Sequence, residues 1–113
     1  MLTLQILAGL GKDSEALARL PIEAPGVEGY VLGRSGSGSD YLPDIDLAPY
    51  GAREKGISRR HAALVQYHGM LHIIDLESTN GTFINGNRIR PNVATQVRSG
   101  DVLTLGDLDL RIS

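Results

Sequence analysis

Apolar residues in this chain recur at every second position in short stretches, most clearly near its two ends. Leu2, Leu4 and Ile6 alternate with Thr3 and Gln5, and Leu108, Leu110 and Ile112 alternate with Asp107, Asp109 and Arg111. A period of two sends successive side chains to opposite faces of an extended backbone, so each stretch predicts a strand with one buried face. Shorter apolar runs at Gly29 to Gly33, Asp44 to Leu47, Ala62 to Tyr67, Leu71 to Leu76, Thr82 to Ile84, Asn87 to Ile89, Thr95 to Val97 and Val102 to Leu105 predict further strands. Ala16 to Ile22 predicts another, although Ala-Leu-Ala-Arg-Leu also suits a single helical turn.

The segments between these runs are turn chemistry. His68-Gly69 predicts a tight reversal, and Asn85-Gly86 a type I′ turn, because both central residues of that turn need positive φ. Ser99-Gly100-Asp101 and Gly106-Asp107 reverse the chain again, while Gly9 to Ser14 and Ala48 to Gly56 read as loops. Pro21, Pro25 and Gly26 rule out a long helix. Ser35-Gly36-Ser37-Gly38-Ser39 has the composition of a linker but is too short to separate domains. About ten short strands at close spacing, with no convincing helix, predict an all-β antiparallel sandwich. Residues 1–113 are expected to form a single domain, a module of a longer protein.

Composition refines this picture in three ways. At 113 residues and 42% hydrophobic the chain can bury a core, which the scarcity of aromatics makes a matter of Leu, Ile, Val and Ala. Cysteine is absent, so no disulfide or thiolate metal site can form. Met1 to Leu10 is apolar but lacks a basic n-region and a small-residue cleavage site, and no apolar run reaches the ~18 residues of a membrane span. A cytoplasmic location is the expectation. The net charge of −2 argues against a nucleic-acid or membrane binder, which would need a strong basic excess. Between Arg34 and Arg98, however, basic residues outnumber acidic by eight to six, whereas the rest of the chain has three basic and seven acidic.

Two polar clusters stand out within that basic stretch: Ser58-Arg59-Arg60-His61 and Ser78-Thr79-Asn80-Gly81-Thr82. If Ala62 to Tyr67 pairs with Leu71 to Leu76, the clusters leave one end of the sheet together. Hydroxyl, amide and guanidinium donors then converge on one patch of loop, which is the chemistry of an oxyanion site. Competing chemistries are weaker. Ser58, His61 and Asp75 suggest a hydrolase triad, but Ser-x-x-His fixes no such geometry and no nucleophile elbow is present, so an enzyme is not expected. Gly11-Lys12 lacks the upstream glycine of a phosphate loop. His61, His68 and His72 have no acidic or cysteine cluster to complete a metal site, and no cofactor or metal is expected. Asn80-Gly81-Thr82 matches a glycosylation sequon that no secretory signal supports.

Gly33-Arg34, Ser58-Arg59-Arg60-His61 and Ser78-Thr79-Asn80-Gly81-Thr82, with Asn85-Gly86 just after, resemble in order and spacing the Gly-Arg, Ser-x-x-His and Asn-Gly motifs of the forkhead-associated (FHA) domain. The resemblance spans the chain and implies a sandwich of about eleven strands that binds phosphothreonine peptides through loops at one end. It implies that Arg34 and Ser58 meet the phosphate and that Thr79 contacts phosphate or peptide. Asn80 would bond the peptide main chain and Arg59 lie over the peptide, with Gly33, His61 and Gly81 as support of the site. In the family a small gap beside the Asn-Gly turn takes the threonine methyl, and a side chain close before the serine reads a flanking residue. Here that neighbourhood is Lys55-Gly56-Ile57, where Gly56 offers no contact and Lys55 or Arg53 would favour an acidic peptide. The expected partner is a threonine-phosphorylated protein, a Ser/Thr kinase substrate, bound by a monomeric domain. The alternative is an FHA fold that docks or oligomerises without phosphate.

Overall fold

The computed structural model describes residues 2–7, 16–36, 38 and 40–113. Eleven strands follow one another: β1 (Leu2–Leu7), β2 (Ala16–Ile22), β3 (Tyr30–Gly33), β4 (Ile45–Asp46), β5 (Arg60–Tyr67), β6 (Met70–Asp75), β7 (Thr82–Ile84), β8 (Asn87–Arg88), β9 (Thr95–Gln96), β10 (Val102–Leu105) and β11 (Leu108–Ile112). They form a six-stranded sheet in the order β2-β1-β11-β10-β7-β8 and a five-stranded sheet in the order β4-β3-β5-β6-β9. Ala16–Ile22 is a strand and not a helical turn, because it lies along β1 with Leu4 opposite Leu20. The loop expected from Gly9 to Ser14 lies outside the described residues, as do Ser37 and Ser39.

The strand pairs are antiparallel with one exception. β4 runs parallel to β3, with Leu32 opposite Ile45, since the chain swings out after Arg34 and returns in the same direction. The only helical residues among those described form a 3₁₀ turn at Ala48–Tyr50, inside the stretch expected to be a plain loop.

The two inner faces are built as the alternation requires. Leu4, Ile6, Leu103, Leu105 and Leu110 from one sheet, and Leu32, Leu64 and Ile73 from the other, are fully buried. Leu103 opposes Leu110 and Leu64 opposes Ile73, so each register places a pair of large aliphatics in the same layer. Alternation fails at Asp109, which opposes Thr104 on the outer face yet is 4% exposed, with its carboxylate accepting the Thr104 hydroxyl at 2.6 Å. β5 is buried at five successive positions, His61 to Val65, so the strand carrying one polar cluster is covered on both faces. Between β5 and β6 the His68-Gly69 turn has positive φ at both residues, as does Asn85-Gly86 between β7 and β8. These tight turns leave the strands no slack, so both β5 and β6 deliver their polar clusters to the same end.

Replacing Leu64 by alanine should lower stability by about 2–5 kcal/mol through lost burial and the cavity left behind. Urea unfolding checks this, and an unchanged slope with a lower midpoint is the expected form.

Candidate functional site

The loop end of the sandwich is joined through one imidazole. His61 is fully buried; its Nδ1 accepts the Ser58 N–H at 3.0 Å and its Nε2 donates to the Gly81 carbonyl at 2.8 Å. A backbone N–H can only donate and a carbonyl only accept, so these partners fix the neutral tautomer with the proton on Nε2. Burial lowers the His61 pKa below its ordinary 6.5, against the Gly81 hydrogen bond and the nearby Asp75 charge, which pull it upward. The ring therefore serves as a neutral strut between the loop before β5 and the loop after β6.

The second of those loops is shaped by Asp75. Its Oδ1 accepts the hydroxyls of Ser78 and Thr82, each at 2.6 Å, and its Oδ2 the Ser78 N–H at 3.3 Å. Ser78 Oγ accepts in turn from the Gly81 N–H at 3.0 Å. The 75–82 segment thus closes on one buried carboxylate and presents Thr79 and Asn80 outward, both exposed. Thr79 donates its N–H to Ser58 Oγ at 3.2 Å, which ties the two clusters at the surface and leaves the Ser58 hydroxyl proton to donate elsewhere.

Arg34 enters from the end of β3, where Gly33 permits contact closer than any side chain would. A Cβ on Gly33 would lie 1.8 Å from the Arg59 carbonyl oxygen, a backbone atom that cannot swing aside. Just beyond, the Arg34 N–H donates to that same carbonyl at 3.2 Å, and the Arg34 Nε donates to the Ile57 carbonyl at 2.7 Å. Asp46 fastens the next residue by accepting the Ser35 hydroxyl at 2.6 Å and the Ser35 N–H at 2.9 Å. Burial pushes the Asp46 carboxyl up, but the Ser35 hydroxyl and the Ser35 and Ala48 N–H groups outweigh it and hold the pKa below the ordinary value. Arg59 reaches the same place from the facing loop: a Cβ on Gly36 would sit 3.3 Å from Arg34 Nη1 and 3.8 Å from Arg59 Nε. Among the described residues neither guanidinium has a carboxylate partner.

Asn80 completes the surface. Its Nδ2 donates to the Gly56 carbonyl at 2.9 Å, so its Oδ1 and one amide hydrogen remain for a ligand. The β10–β11 turn locks this edge, with the Gly106 N–H on the Gly81 carbonyl at 3.2 Å and the Asp107 N–H on the Lys55 carbonyl at 2.8 Å.

The structure brings Arg34, Ser58, Arg59, Thr79 and Asn80 to one end of the sandwich, with Gly33, His61 and Gly81 beneath them. The hydrolase triad does not assemble, because both His61 nitrogens are held by backbone groups and the Asp75 oxygens by Ser78 and Thr82. The scaffold duties of Asp46 and Asp75 escaped the sequence reading, as did the contact of Gly56 with Asn80. Asp75 carried one usable signal, hydroxyl residues three and seven positions on; Asp46 carried none, since its partner Ser35 lies eleven residues earlier.

The loop end of the sandwich thus gathers guanidinium, hydroxyl and amide donors, and among the described residues the two guanidiniums have no carboxylate partner. Residues 30–106 match the family model of the FHA domain, and the chain belongs to that family. FHA domains generally bind phosphothreonine peptides. Over 79 residues the chain is 47% identical to the ABC transporter ATP-binding/permease protein Rv1747 of Mycobacterium tuberculosis, a match covering 70% of this chain and 8% of that protein. It is 30% identical over 82 residues to the FHA domain-containing protein At4g14490 of Arabidopsis thaliana, covering 66% and 21%. The chain thus spans less than a quarter of the length of either relative. Among solved structures, full-length yeast Pml1p aligns with a TM-score of 0.76 at 27% identity, over 99% of this chain and 80% of that one. The FhaA FHA domain complexed with the intracellular domain of Rv3910 aligns at 0.69 and 23% over the whole of both.

His61→Ala should cost about 2–5 kcal/mol, since it opens a cavity, orphans the Ser58 N–H and leaves the Gly81 carbonyl with only the Gly106 N–H. The depressed pKa adds a pH signature. Above about 6.5 the ring is neutral in folded and unfolded chains alike and the stability contribution is level. As pH falls through that value the unfolded chain takes up a proton that the folded one refuses, so stability is lost until the lower folded pKa is reached. Thermal melts from pH 7.5 to 5 should show this slope in the native protein and its loss in His61→Gln.

Proposed function

We propose that this chain is a phosphopeptide-binding module that recognises phosphothreonine on partner proteins, substrates of Ser/Thr kinases, and acts as a signalling adaptor or scaffold in the cytoplasm. The observation that carries the reading is the convergence of the Arg34 and Arg59 guanidiniums, without carboxylate partners among the described residues, beside the free hydroxyl proton of Ser58. A phosphate dianion offers three acceptor oxygens, and planar guanidinium donors engage two of them at once. With Nε committed to the Ile57 carbonyl, Arg34 turns its terminal nitrogens to the ligand.

Family membership supports the choice of phosphothreonine over other phosphoesters. A methyl group seated in a gap beside the Asn80-Gly81 turn contributes about 0.8 kcal/mol and restrains the side chain before binding. Phosphotyrosine holds its phosphate too far from its own backbone for these short loops to grip phosphate and main chain together.

Titration of labelled protein with a phosphothreonine peptide library, then with the same peptides as phosphoserine, tests the reading. Phosphoserine should bind several-fold more weakly and unphosphorylated peptide not at all. Arg34→Ala should cost about 1.5–3 kcal/mol, roughly ten- to a hundredfold in affinity. Equal binding of both phosphoforms, or indifference to Arg34→Ala, would instead favour a domain that docks partners without phosphate.

A further inference from the structure

The contact between Gly56 and Asn80 assigns a task to a residue that contributes no side chain. We propose that Gly56 is the positioning residue of the main-chain clamp: by offering its carbonyl and lacking a Cβ, it sets the Asn80 carboxamide where a bound peptide's backbone must meet it. The proposal rests on the phosphopeptide reading above and concerns how the peptide is held beyond its phosphate.

Three observations carry it. Asn80 Nδ2 lies 2.9 Å from the Gly56 carbonyl oxygen, and because that oxygen can only accept, the amide nitrogen must face it and Oδ1 must face away. A Cβ on Gly56 would fall 2.4 Å from the same nitrogen and 3.4 Å from Asn80 Cγ, so any side chain there competes for the place that the carboxamide occupies. Gly56 also has φ of +76°, a conformation that most L residues resist. Asn80 is exposed at the surface, so the carboxamide rather than the backbone gives way when position 56 is filled.

Neighbouring bonds make the carbonyl a fixed reference. The Gly56 N–H donates to the Arg53 carbonyl at 3.2 Å and the Ile57 N–H to the Ala52 carbonyl at 2.9 Å, while the Asp107 N–H holds the Lys55 carbonyl. Beyond Asn80 lies a cleft of about 410 Å³ lined by Glu54, Lys55, Gly56, Phe83, Gly106 and Asp107. A peptide held by its phosphate at Arg34 and by its main chain at Asn80 runs along the mouth of that cleft. The clamp therefore reads backbone, and the ligand class it selects is an extended phosphorylated segment rather than a phosphate group alone.

The test compares native protein, Gly56→Ala, Gly56→Asn, Asn80→Ala and Gly56→Ala/Asn80→Ala, each titrated with one phosphothreonine peptide and, by chemical-shift perturbation, with inorganic phosphate. Asparagine tolerates positive φ, so Gly56→Asn keeps the fold if alanine strains it. Either Gly56 variant should lower peptide affinity about tenfold, as Asn80→Ala should, and the ratio of peptide to phosphate affinity should fall with it. The double variant should be no worse than Asn80→Ala. Peptide affinity within twofold of native in Gly56→Asn, or additive losses in the double variant, would overturn the assignment. The Asn80 side-chain amide resonances separate this idea from the reading beneath it. If native protein binds neither peptide nor phosphate, the phosphopeptide reading falls. The positioning role falls separately if those resonances do not move in the Gly56 variants.

Discussion

Everything at the loop end depends on a neutral imidazole buried between two loops. A rigid ring with an acceptor on one side and a donor on the other can join a backbone N–H to a backbone carbonyl across a fixed span, and His61 does this between Ser58 and Gly81. Without it, the Ser58 N–H would be stranded where the ring now excludes water, and the Gly81 carbonyl would keep only the Gly106 N–H. The turn carrying Thr79 and Asn80 would then be tied to the loop before β5 only near the surface, through Ser58 Oγ and the Gly56 carbonyl. Protonation would have a similar effect, since the imidazolium has no acceptor to offer the Ser58 N–H. The shape of the loop end is thus set in large part by a ring whose two nitrogens are both engaged by backbone groups.

The acidic residues near the site are deployed so that they do not cancel its charge. The oxygens of Asp75 are spent on Ser78 and Thr82, and those of Asp46 on Ser35 and Ala48. Each shapes the loop that carries a recognition residue, yet neither pairs with Arg34 or Arg59. Arg34 is oriented instead by a neutral carbonyl, which fixes the guanidinium plane while leaving its full charge for an anion. This is how a chain of net charge −2 sustains a locally cationic patch. Opposite charges one Debye length away are largely screened, whereas a carboxylate in contact would occupy the donors outright.

The fold, and the gathering of the candidate site residues at one end of it, were legible in the sequence because they rest on local regularities. Period-two alternation located the strands, and His68-Gly69 and Asn85-Gly86 fixed the hairpins that bring residues 58–61 and 78–82 together. What stayed hidden came from tertiary contact. The parallel pairing of β4 with β3 depends on how a long connection returns, which no alternation encodes. The burial of Asp109 on an outward face likewise depends on its neighbours and not on its position in the strand. The bond from Asn80 to the Gly56 carbonyl was equally out of reach, since it joins residues 24 positions apart in different loops.

A charge cluster and a main-chain clamp contribute differently to recognition. Two guanidiniums and a hydroxyl, if they meet a phosphate as proposed, would attract any accessible phosphate, with each charge-assisted bond giving about 1.5–3 kcal/mol. That attraction distinguishes poorly between a phosphorylated peptide and the inorganic phosphate that competes with it. On the proposed reading, Asn80 would add bonds that only an extended backbone can make, at a fixed distance from the phosphate, because its amide is held by the Gly56 carbonyl and its turn by His61. The gain in selectivity comes from that fixed distance: a second contact discriminates only if its position relative to the first is set before the ligand arrives. On that reading, rigid neutral hydrogen bonds among the loops would do as much for specificity as the arginines would for attraction.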